Sequence, residues 1–382
     1  MRARPRYGRL GVCVALAVSL FGCSPAATAA SLGALDDYVF VASRGSSAIA
    51  VVDATVDEVV ASVPLAAPAD QYVVSEEARS LVASHRQARL LSLVDLDGRG
   101  PRTLGLDFDP EQIELAPDGR TLVISGGEQG IVAIASLPAG RIVHRIRGIA
   151  RPGDLMFGRD GLTLFVADQK VGRIVLVDVA AGTIEGQIEL RNGTAPLPGI
   201  FELTRTSGGL MGFALHGPGG EVSVIDLGSR AQIATVELPG PAIKGFPTAS
   251  SQHVLVPSER DRTVSLLSTW SFRESARLPG AASVSGINLG MFDSLAFVLS
   301  RDQDKALVLD LERRRQVGEI PLPSRPETGI SMEAGRKLYV ALSGSDRLAV
   351  IDMAARKLVK TIEGVGEGPW GVSSVGALSY CH

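Results

Sequence analysis

Two histidines, His85 in "VASHRQ" and His216 in "FALHGP", each stand ten residues before an aspartate, and Asp168 holds the same place before Asp178. Histidine and aspartate suit zinc or copper, and a single imidazole suits haem iron. A second set recurs at another fixed place: Asp70, Gln112, Asp154, Glu202, Lys244, Ser285, Glu327 and Trp370. Four carboxylates against one lysine, with Arg151 and Arg325 close by in "RPGD" and "RPET", would make a pocket for a cation, or for a ligand with polar and flat parts. The same polarity also fits a solvated rim, because loops are polar wherever they meet water. Several chemistries lack their motif. There is no Cys-x-x-Cys-His, no His-Glu-x-x-His, no phosphate-cradling glycine loop and no Gly-x-Ser-x-Gly. Dispersed acids leave a calcium-dependent, lactonase-type hydrolase as a weaker alternative, with no motif pointing to it.

What positions these residues is a repeat. Short alternating apolar runs end at Asp53, Asp95, Ala135, Asp178, Asp226, Ser268, Asp310 and Asp352, at intervals of 42, 40, 43, 48, 42, 42 and 42 residues. Periods of this length with only strand patterns inside signify propeller blades. Each unit reads as four strands. "KLYVALS" is a second strand, "RLAVIDM" a third, "KLVKTIEG" an outer fourth, and "WGVSSVGAL" the inner first strand of the next blade. "PDGR", "RDGL" and "EAGR" supply the turns between inner and second strands. The recurring aspartate is expected to cap the turn after the third strand.

The repeat also limits the metal reading. Strands lie about 4.8 Å apart, so His85 and His216, three blades apart, would stand about 20 Å from each other. A metal–nitrogen bond is about 2 Å, so they cannot share one ion. Either alone remains a candidate ligand. His144 falls in an outer strand, His253 at the opposite end of a blade, and Cys381-His382 on a tail.

"YVFVASRGSSAIAVVDATVDEVVASVPL" and "KLYVALSGSDRLAVIDMAARKLVKTIEG" resemble YVTN-type β-propeller repeats, from about Asp37 to Tyr380. Eight units, against the seven usual in that type, are similar to the haem-binding propeller domain of dissimilatory nitrite reductase and its relatives. The resemblance implies an all-β, single eight-bladed propeller, with seven blades as the alternative. It also implies a rigid ring whose funnel face binds a partner or ligand, and relatives that handle haem or zinc. The cofactor stays open between none, haem and a divalent metal.

The N-terminus carries Arg2, Arg4, Arg6 and Arg9 before an apolar run, Leu10 to Phe21, too short to span a bilayer. "LFGC" resembles a bacterial lipobox with Cys23 as the lipidated residue, and cleavage after "AATAA" is the rival. The expected organisation is a signal peptide at 1–22, a linker at 23–36 and the propeller at 37–382. Without residues 1–22 the formal charge goes from -3 to -7, since four arginines and no acids leave. Such a charge gives no electrostatic case for nucleic acid. The reading is an exported, non-catalytic periplasmic binding or scaffold protein, lipid-anchored at the outer membrane, with a protein partner or small ligand. Haem or metal handling is the alternative. Finally, residues 31–37 are too short and polar to give the first blade an inner strand, so the chain's last strand is expected to close it.

Overall fold

The computed structural model describes residues 32–98 and 100–375. The expected signal peptide at 1–22, Cys23, and the pair Cys381-His382 lie outside them. Among the described residues, eight four-stranded antiparallel sheets form the ring, with one extra two-stranded hairpin. The only helical pieces there are two 3-10 turns, Leu35–Asp37 and Glu333–Gly335. The eight-bladed expectation holds.

Each blade runs from the channel outward. The second blade, for example, is Gln71–Ser75, Ser80–His85, Leu90–Asp95 and Pro101–Gly105. Alternation explains why such sheets must stack. In the strand Tyr38–Ser43, Phe40 and Ala42 face the second blade and pack with Tyr72, Val74 and Leu81. Val39 and Val41 face the eighth and pack with Tyr339, Leu348 and Val350. A strand with period-two apolar residues on both faces needs a neighbour on each side. Eight apolar clusters fill the eight interfaces accordingly.

The first blade takes its inner strand from the far end of the chain. Pro369–Ser373 pairs antiparallel with Tyr38–Ser43, in the register Phe40 to Ser373, Val41 to Val372 and Ala42 to Gly371. Just before the first blade, Leu32 and Leu35, which the sequence places in the linker, are buried in the cluster between the first two blades. Arg79 holds the carbonyls of Leu32 and Gly33 at 2.6 and 3.0 Å.

The repeat anchors are turn caps. Asp53 accepts from the backbone N–H of Thr55, Asp178 from Ala181, Asp226 from Ser229 and Asp352 from Ala355, all at 2.7–2.8 Å. Ser268 offers its hydroxyl oxygen to Trp270 and Ser271 at 3.3 Å. In the third blade the register corrects the sequence alignment. Thr121 pairs with Ser136 as Ser80 pairs with Asp95, so Ser136, not Ala135, holds the anchor place. An apolar strand ending "AIAS" with no aspartate left the alignment one residue loose. The long interval of 48 is also explained, because the hairpin Arg191–Asn192 with Ala195–Pro196 is inserted before the fifth blade.

Seam burial gives a direct test. Val372 is 1% exposed at the closure, whereas Val359 on an outer strand is 57% exposed. Val372→Asp should cost about 3 kcal/mol or more through a buried unpaired carboxylate. Val359→Asp should stay within about 0.5 kcal/mol. Equal midpoints for the two variants in urea unfolding would contradict a closed ring.

Candidate functional site

The inner strands enter the channel from the face carrying the fourth-to-first and second-to-third connections, here called the funnel face. On its rim, charges are paired across blades. Glu111 takes Arg86 at 2.9 Å and Arg151 at 3.8 Å, and Arg151 also pairs with Glu128. Glu327, 4% exposed, accepts from Arg301 at 2.6 Å and Ser343 at 2.7 Å, with Arg44 at 3.5 Å. Asp70 accepts the backbone N–H of Arg86 at 2.5 Å. Arg301 and Arg44, which the sequence did not single out, thus answer Glu327, while Glu111 is answered by Arg86 and by the expected Arg151.

The tops of the second strands carry a second recurring device. His85 bonds Pro68 O at 3.0 Å and Ser92 Oγ at 2.8 Å. His216 does the same with Pro198 O at 2.8 Å and Ser223 Oγ at 2.9 Å. At equivalent places Ser43 donates to Val365 O at 2.7 Å and Ser300 to Ala282 O at 2.6 Å. Asp168, fully buried, accepts from Ala150 N at 3.2 Å and pairs with Arg173 at 2.7 Å. The shared job is to clasp the loop that feeds the inner strand of the same blade. Both nitrogens of each histidine are engaged, so either ring would have to break a bond to ligate a metal or haem.

Below the rim, five of the inner strands are tied to the next by a polar side chain. Gln71 accepts from Ile113 N at 2.9 Å and donates to Gln112 at 2.6 Å. Ser285 donates to Pro326 O at 2.8 Å, and Thr328 donates to Trp370 O at 2.7 Å. Trp370 in turn meets Tyr72 edge-on, with centroids 6.4 Å apart. In the fourth and fifth blades the tie is acidic. Asp154 accepts from Leu203 N and Glu202 from Gly245 N, at 2.8 and 2.7 Å. Both are buried, at 6% and 4% exposure.

The acids continue down the channel. Burial, and then the charge of Asp154, raises the Glu202 carboxyl well above its usual value, with Lys244 opposing. The same two causes push Glu114 up to about 8, with Arg205 opposing. Asp154 thus acts on both Glu202 and Glu114, with Lys244 beside the first and Arg205 beside the second. Sequence reasoning found Asp154, Glu202 and Lys244 but missed Glu114 and Arg205. The available signal was a charge inside the short inner strand "QIEL", and another ending "ELTR". Among the described residues, no group of three or more His, Cys, Asp or Glu is arranged to hold a metal ion.

No protein-family model matches the chain. No curated protein matches it either. Solved structures do. The chain is similar to the dihydro-heme d1 dehydrogenase NirN in complex with DHE, at TM-score 0.75 and 15% identity, covering 91% of this chain and 77% of that one. It is similar to apo AztD from Citrobacter koseri, at TM-score 0.67 and 16% identity, covering 88% and 97%. Hydrazine synthase of Kuenenia stuttgartiensis aligns at TM-score 0.55 and 16% identity, covering 74% and 95%. At these identities the likeness establishes the propeller fold.

Two measurements check the site. The folded chain holds a proton at Glu114 that the unfolded chain releases near pH 4.5. That contribution is therefore complete below about pH 4.5 and is lost as pH rises to about 8, at up to about 1.4 kcal/mol per pH unit. Glu114→Gln should flatten this decline in unfolding experiments from pH 5 to 8; an unchanged slope would place the proton elsewhere. His216 works in the opposite sense, because burial lowers its pKa below 6.5. Its share is present above pH 6.5 and lost as pH falls below it. His216→Ala, which strands Ser223 and the Pro198 carbonyl, should cost about 2–3 kcal/mol in urea unfolding at pH 7.5.

Proposed function

We propose that the protein is a non-catalytic binding protein that takes a cation, or the cationic part of a small ligand, into the funnel-side half of its channel through Asp154 and Glu202. One observation carries the reading. Neutral Gln71 and Thr328 accept an inter-blade backbone N–H in the same way, from Ile113 and Val372. The tie alone therefore does not call for carboxylates at 154 and 202. Burying two neighbouring carboxyls works against folding, and a cleft carboxyl raised as Glu202 is marks a candidate for function. The proton held at Glu202 is exchangeable for a cation.

The basic segment and apolar run support export, the lipobox-like "LFGC" supports a lipid anchor at Cys23, and Ser24 rather than an aspartate after that cysteine supports the outer membrane. A second reading, haem handling, draws support from the fold shared with NirN and from the aromatic side chains Tyr72 and Trp370. Asp70, Gln112, Lys244, Glu327 and Trp370 would then line the approach, and His85 or His216 would serve as a ligand only after leaving its clasp.

Trp370 is a reporter for both readings, since the only other tryptophan, Trp270, is 83% exposed and replaceable. Mature protein carrying Trp270→Phe would be titrated with zinc, copper, calcium and haem. The expected result is saturable change in Trp370 fluorescence with one metal ion, accompanied by proton release. Asp154→Asn and Glu202→Gln keep an acceptor for the tie, so they should preserve the unfolding midpoint and weaken binding at least tenfold. Saturable haem binding with no metal response would favour the second reading. Silence with all four would remove both.

A further inference from the structure

The ends of the inner strands form the other mouth of the channel, away from the funnel. A cavity of about 390 Å³ opens there, lined from five blades by Ser75, Glu114, Phe157, Arg205 and Ser373, with Val73 and Leu115 on its walls. Pockets of this size suit small organic ligands.

Two polar groups in it lack partners. The hydroxyl of Ser373 is buried, with the residue 2% exposed, and has no hydrogen-bond partner among the described residues. Arg205 makes none of the described ion pairs or hydrogen bonds, although other arginines along the funnel rim are paired. Its one described interaction is attraction to Glu114. A half-buried guanidinium without a bidentate acceptor is the complement of a planar carboxylate. A buried hydroxyl without a partner costs stability unless something meets it.

We propose that this mouth is a second ligand site, for a small organic monocarboxylate with an apolar body, its carboxylate on Arg205 and Ser373 and its body against Val73, Leu115 and Phe157.

The remaining charges sharpen the class. Glu76 and Glu77 also line the opening, and only Glu76 has a described ion pair, with Arg79 at 3.6 Å. They repel a polyanion such as phosphate while tolerating a single negative charge. Glu114, raised to about 8, carries its proton at neutral pH and donates to the carboxylate. Above that value it becomes an anion and opposes it. Asp154 adds a negative charge from above.

The test is calorimetry on the mature protein with phenylacetate, hexanoate and inorganic phosphate, at pH 6.5 and 8.5. Saturable binding of a monocarboxylate is expected, at least tenfold weaker in Arg205→Gln, severalfold weaker in Ser373→Ala, and weaker at pH 8.5 than at 6.5. Phosphate should not bind. Thermal unfolding confirms that Arg205→Gln is folded, and Arg205→Lys should regain part of the affinity as a point charge without the fork. No saturable binding of either carboxylate overturns the proposal. So does phosphate binding as tightly, or affinity unchanged in folded Arg205→Gln. Because this titration uses anions and the funnel-side one uses metals and haem, either can fail alone.

Discussion

Everything in this molecule depends on the fact that no blade can cover its own two faces. A strand such as Tyr38–Ser43 is buried on both sides, with Phe40 in one interface and Val41 in the other, both at 0% exposure. Each apolar cluster therefore belongs to a pair of blades, and the last pair exists only if the ring closes. At about 25 cal/mol per Å² of apolar area, an interface left open forfeits many kcal/mol. The seam strand Pro369–Ser373 is what prevents this, by joining the first sheet and presenting Val372 to the cluster shared with the eighth blade.

Closure creates the channel, and the channel sets the electrostatics. Inner strands are sheet edges, so their outward N–H and C=O groups need partners. The neighbouring inner strand offers a side chain for that purpose, usually a neutral one. Where the side chain is Asp154 or Glu202, the hydrogen bond is kept but a charge is placed among atoms that exclude water. The fold answers Glu202 with Lys244 and Glu114 with Arg205, and these two carboxyls hold protons more tightly than they would in solution.

Much of this architecture was legible because it rests on local rules. Alternation, the capping aspartates and the Gly-containing turns repeat with a period, so eight copies could be aligned by eye. The slip at Ala135 came where the cap is Ser136 and the alternating run "GIVAIAS" offers two registers. The site was legible in part. Asp154 and Glu202 were visible as inner-strand residues, but their burial was not, because burial there is a property of the closed ring. The histidines read as ligands in isolation and as clasps in context. Nothing in "VASH" says that Pro68 O and Ser92 Oγ will occupy both nitrogens, since one partner comes from the loop 17 residues earlier. Glu114 and Arg205 were missed for a related reason: they belong to inner strands of four residues each, too short to show a pattern that a charge would break.

The two mouths of the channel are not independent, and the reason is Asp154. Its charge raises Glu202 toward the funnel and Glu114 toward the opposite opening. A positive charge placed beside Asp154 would offset that field at both carboxyls and ease the release of both protons. A proton lost from Glu114 removes a donor from the lower cavity and adds a negative charge to it. By linkage, whatever disfavours an anion below when a cation sits above must equally disfavour the cation when the anion is bound. Such coupling needs no movement of the blades. It needs only a rigid ring that holds Asp154 within electrostatic reach of both Glu202 and Glu114.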